Sequence, residues 1–147
     1  MSLKDKLMTD LKAAMKDKDT VRKNAVQMVR ASVLQVEKDN KITLDDEGVV
    51  EVVAKEVKKR KDVLPEYEKS GRQELIDELN KEIEVLMAYL PEQMSEEEIE
   101  ALVISAIAEA GAESMKDIGK VMAVIMPKTK GKADGKTVNQ FVKKHLS

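Results

Sequence analysis

Gly131, Gly135, Lys136 and Thr137 fall one residue short of a phosphate-binding loop. Such a loop needs four residues between its glycines, so that backbone amides curl around a phosphate, and it follows a buried strand. Here only Lys132, Ala133 and Asp134 separate the glycines, the aspartate would repel an anion, and the residues leading to Pro127 have helical rather than strand spacing. A nucleotide site is therefore not expected. What remains is basic charge. From Gly111 onward eight lysines (116, 120, 128, 130, 132, 136, 143 and 144) stand against three acids, Glu113, Asp117 and Asp134, an excess of five in a chain whose formal net charge is −2. Flexible lysines, with glycines ahead of a helix N-terminus, suit contacts to a phosphate backbone and do not read bases. A purely structural reading stands beside this one: lysines near a helix C-terminus complement its dipole, and glycines serve turns.

Residue types exclude much else. There is no cysteine or tryptophan, and the one histidine, His145, lies within the last three residues. Disulfide scaffolds, thiolate zinc sites, cysteine nucleophiles and histidine ligand clusters are excluded by count. No catalytic residue, metal site or cofactor is expected. The three aromatics, Tyr67, Tyr89 and Phe141, are too few for a base-stacking platform. Lys58-Lys59-Arg60-Lys61 reads as a solvated helix face, and Arg22, Lys23 and Arg30 would extend it if two helices pack side by side. Arg22, Arg30, Lys59 and Arg60 form the secondary basic surface expected on that basis. Met28, Met87, Met122 and Met126 share stripes with leucine and valine and read as core fillers. The six acids from Glu92 to Glu109 read as a solvated face with a charged first turn.

The elements that must position these residues are helices, because apolar residues recur at three- and four-residue spacing and strict alternation is absent. Leu3, Leu7, Leu11 and Met15 make one stripe; Val21, Ala25, Met28, Val29, Val33 and Val36 make a second. Thr43 with Asp46 predicts the N-cap of a third helix through Val49, Val53, Val57 and Leu64, which Pro65 should kink or restart. A fourth runs from Leu75 to Leu90 and stops at Pro91. Ser95 to Glu98 is a capping box opening a fifth helix that ends at Gly111. Two more, Ser114 to Pro127 and Val138 to Leu146, flank the lysine-rich segment. The expected fold is all-α: an N-terminal bundle of about four helices in residues 1–93, joined to a small three-helix domain in 94–147. The first residues mix charges and lack the apolar core of an export signal, and no apolar run approaches the ~18 residues of a membrane span. A cytoplasmic protein that makes no membrane contact is expected.

Several separated motifs carry a resemblance. Val26 to Ala31, Glu56 to Asp62 and Ala88 to Ser95, followed by Gly119-Lys120-Val121-Met122, Pro127-Lys128, Lys130 to Gly135 and Val138-Asn139, occur in order over essentially the whole chain. The sequence resembles the GatB/YqeY family, in particular its free-standing YqeY-like members. The resemblance implies an all-helical fold and kinship with the tail of the B subunit of tRNA-dependent amidotransferase, which helps hold the tRNA body. It implies tRNA or other structured RNA as partner, with Lys120, Lys128, Lys130, Gly131, Lys132, Gly135, Lys136 and Asn139 in contact. Carbon–nitrogen ligase activity with glutamine as amido donor belongs to the relatives, and 147 residues leave no room for its catalytic apparatus. The reading is a noncatalytic tRNA-associated accessory protein. The alternative is a protein-interaction module that docks on an aminoacyl-tRNA synthetase or amidotransferase.

Overall fold

The computed structural model describes residues 2–147, and every regular element among them is helical. The apolar stripes become buried helix faces in two compact units, one ending at Leu90 and the other covering Pro91–Ser147.

In the first unit, α1 (Leu3–Lys16), α2 (Thr20–Asn40), α3 (Asp46–Ser70) and α4 (Gln73–Met87) form a bundle. Its core joins Leu7 and Leu11 of α1 to Val26, Val29 and Val33 of α2, Val49, Val53 and Val57 of α3, and Leu86 of α4. Tyr89 lies just past α4. Its buried hydroxyl donates to Asp10, and burial followed by that neighbouring carboxylate pushes its ionisation well above the usual tyrosine range. α3 starts differently from the sequence expectation: Asp45, not Thr43, is the N-cap, accepting from the Gly48 amide at 2.9 Å. Nor does the helix restart at Pro65. Proline removes one intrahelical bond, but Pro65 is exposed and the helix runs on to Gly71, whose φ of +69° terminates it.

The second unit contains α5 (Glu96–Ala110), a 3-10 turn (Met115–Asp117), α6 (Ile118–Thr129) and α7 (Gly135–Leu146). Ser95 caps α5 as its sequence predicts, accepting from the Glu98 amide at 3.2 Å. Ile99 and Val103 of α5, Val121 and Ile125 of α6, and Val138, Val142 and Leu146 of α7 make the core. α6 continues through Pro127 to Thr129, so Lys128 is helical rather than part of the loop. Two methionines expected inside are half-exposed, Met28 at 51% and Met126 at 48%. Ala25, Val26, Val29 and Val33 already fill the buried face of α2, and Val121, Ile125 and Thr129 that of α6, leaving these methionines at the edges.

Candidate nucleic-acid interface

The lysine-rich loop is a hydrogen-bonded turn. Lys130 has φ −54° and ψ 118°, Gly131 has φ +74°, and the Lys132 amide donates to the Thr129 carbonyl at 2.8 Å. Those are the features of a type II turn, whose third position needs positive φ and so favours glycine. Ala133 donates to the same carbonyl at 3.0 Å, and the buried Thr129 hydroxyl donates back to Ile125 at 3.2 Å, tying the turn to α6. A strap holds its outer side. Gln93 Nε2 donates to the Gly131 carbonyl at 2.8 Å, and the Met94 amide donates to the Lys132 carbonyl at 2.8 Å. Nothing in the spacing of Gln93 and Met94 pointed to this, because the pairing spans some forty residues of chain.

The start of α7 is already capped. Asp134 Oδ1 accepts from the Lys136 amide at 3.1 Å, so the amide end expected to greet a phosphate carries the protein's own carboxylate. That role was legible in an aspartate directly before Gly-Lys at a helix start. Gly135 serves no conformational need: its φ is not in the left-handed region, and a Cβ there would meet nothing within 4 Å. The space before its backbone is open.

Acids of α5 take up part of the tail's positive charge. Lys128 pairs with Glu109 at 3.1 Å, while Lys144 and His145 both reach Glu100, at 3.2 and 2.8 Å. Hydrogen bonds from His145 and Lys144 hold the Glu100 carboxyl below the usual range. Lys120 lies 3.8 Å from Asp117, whose carboxyl is held low first by the Glu113 amide. Lys132 and Lys136 are exposed and enter no ion pair among the described residues; Lys130 is exposed at the turn, and Asn139 is half-buried on α7. The acidic face of α5 is therefore not simply solvated.

The four residues of the secondary basic surface do not share one environment. Arg60 is buried, 7% exposed, with Nη1 3.0 Å from Glu56 Oε2 and Nε 3.7 Å from Glu82 Oε2. Ser32 donates to Glu56 at 3.0 Å, and Met28 sulfur lies 3.4 Å from Arg60 Nη2. The expectation of an outward Arg60 is thus corrected: the helix turns it toward α2 and α4, where two carboxylates offset its desolvation. Burial pushes the Glu56 carboxyl up, but its donors Arg60, Ser32 and Lys59 outweigh that and hold it low. Glu82 lacks such donors, and burial raises it. Arg22 pairs with Asp10 at 3.4 Å, and Lys59 is exposed beside Glu56 at 3.3 Å. Arg30 is half-buried and enters no ion pair among the described residues. No group of three or more His, Cys, Asp or Glu side chains could hold a metal ion among those residues.

A helical bundle followed by a three-helix unit with a strapped, lysine-bearing turn is the arrangement that the family comparison covers: residues 4–146 match the family described as Yqey-like protein. The chain belongs to that family. Among curated proteins it is similar to "Altered inheritance of mitochondria protein 41, mitochondrial" of Pyrenophora tritici-repentis, 28% identical over 130 residues, which are 87% of this chain and 71% of that protein. The proteins of the same name from Kluyveromyces lactis and Lachancea thermotolerans are 35% and 32% identical, over 70% of this chain and 57% of each relative. These names overturn the cytoplasmic expectation, since the relatives are called mitochondrial. That expectation rested on the mixed charges of the first residues and the lack of a long apolar run, and neither property distinguishes the cytoplasm from a mitochondrial compartment.

Proposed function

We propose that this protein acts by binding RNA, with tRNA as the target, and that the turn between α6 and α7 supplies the phosphate contacts without catalysis. One observation carries the reading. The turn is fixed from both sides by hydrogen bonds, and Lys132 on it and Lys136 in the first turn of α7 are exposed, with no internal acid pairing them among the described residues. Lysines held on a rigid turn lose less freedom on binding than lysines on a loose loop. Lys130 extends the same edge, and Gly135 leaves room for close backbone approach. Lys120, Lys128 and Asn139 lie farther along α6 and α7 and act as secondary contacts. Because Asp134 caps the α7 N-terminus, the proposed contacts fall to side-chain ammonium groups rather than to its amides. A noncatalytic role beside tRNA also agrees with the resemblance to the amidotransferase tail.

The test is tRNA affinity measured across a salt series for the protein and for the double variant Lys132→Ala, Lys136→Ala. The slope of log affinity against log salt should become shallower by about one unit for each lost phosphate contact, with weaker binding at low salt. An unchanged affinity and slope would remove the turn from the interface.

A further inference from the structure

A second candidate site lies in the first unit, in a groove of about 220 Å³ between α1 and α2. Its floor is the buried pair Leu7 and Val33, 1% and 4% exposed, and Met8 and Leu34 rise from it, Leu34 remaining 59% exposed. Arg30 stands one turn before Leu34 on α2. Lys4 and Glu37 also line the groove and pair with each other, and Glu37 accepts from the Leu44 amide at 2.7 Å, so this carboxylate is committed. Asp5 lines the groove as well, and no ion pair joins it to Arg30 among the described residues.

The three arginines within α2 and α3 differ in one respect. Arg22 has Asp10, and Arg60 has Glu56 and Glu82, whereas Arg30 has no carboxylate partner among the described residues although it is half-buried. A partly desolvated guanidinium beside an exposed leucine matches a ligand that brings an apolar group and a carboxylate together. The volume is below the ~300 Å³ at which clefts for small molecules begin, and it suits one or two side chains. With Asp5 and Glu37 beside Lys4 and Arg30 the lining is neutral in sum, so it offers one guanidinium for a single carboxylate rather than the run of cations that a nucleic-acid backbone needs.

We infer that the α1–α2 groove docks a helix of a partner protein, one that seats an apolar side chain over Leu7 and Val33 and directs a neighbouring Asp or Glu to Arg30. The inference is independent of RNA binding by the α6–α7 turn.

The test pans a displayed peptide library of about four helical turns in length against the full chain. Enriched peptides should carry Leu, Ile or Met one turn from Asp or Glu. Their binding should shift the amide resonances of Met8, Arg30 and Leu34, and should weaken about tenfold in Arg30→Gln, the scale of one charge-assisted hydrogen bond. Leu34→Ser should weaken it as well. Leu34 is too exposed for its loss to unfold the bundle, and circular dichroism verifies both variants. Lys132→Ala with Lys136→Ala should leave peptide binding unchanged, which separates this site from the RNA site. Failure to enrich any peptide, enrichment indifferent to Arg30→Gln, resonance shifts confined to another surface, or displacement of the peptide by tRNA would each overturn the assignment.

Discussion

Both units set basic residues against carboxylates, with opposite results. In the helical bundle Arg60 is drawn inward between Glu56 and Glu82, and Arg22 is drawn onto Asp10, so these cations hold helices together. In the second unit, Glu109 and Glu100 of α5 engage lysines from the side, and the pairs stay at the surface. A buried pair that loses one partner strands a charge in a poor solvent, whereas a surface pair that loses one exposes the other to water. Arginines paired between helices therefore give rigidity in one unit, and lysines paired at the surface give adjustable charge in the other.

The largest effect that would break this contrast is expected at Glu56. Glu56→Ala leaves Arg60 buried without its nearer carboxylate and should lower stability by about 3 kcal/mol in urea denaturation. The pH dependence has a definite sign. The folded-state ionisation of Glu56 is depressed, so its stabilisation is present above the ordinary carboxylate range and is lost as pH falls through the depressed value. Glu82 is raised, so its contribution is favourable in the protonated form and is lost as pH rises through the raised value. Glu82→Gln should consequently cost less stability at neutral pH than Glu56→Gln. Equal losses from both would mean that the two carboxylates act alike.

A smaller effect is expected at the cap of α7. Asp134→Ala removes the acceptor for the Lys136 amide and should cost about 1 kcal/mol of stability, read as a lowered melting midpoint. The smallest concerns surface charge. Glu109→Gln releases Lys128 and should tighten tRNA binding by about threefold at low salt, the scale of one exposed ion pair, with little change in melting. A large loss of stability from Glu109→Gln would make the second unit resemble the first.

Much of the fold was written in local spacing. The stripes at Leu7 and Leu11, Val49, Val53 and Val57, and Ile99 and Val103 each became a buried face, and Ser95 and Gly111 bounded α5 as their types require. Prolines were less legible. A proline on an exposed helix face costs one bond, which neighbouring turns offset, and both α3 and α6 run through theirs. The burial of Arg60 is illegible for a related reason: a run of four charged residues spans more than one turn, and which of them faces the neighbours depends on where those neighbours lie.

By itself the sequence determined that the protein is helical, where most of its helices begin and end, and that its positive charge gathers in the tail. These follow from short-range physics: spacing, caps and composition act within a turn or two of chain. Only the tertiary structure decided which of those charges remain available. Glu109 meets Lys128 across 19 positions, Glu100 meets Lys144 across 44, and Gln93 holds Gly131 across 38. Pairings at that separation depend on how helices pack. Packing is what left Lys132, Lys136 and Arg30 without an ion pair among the described residues.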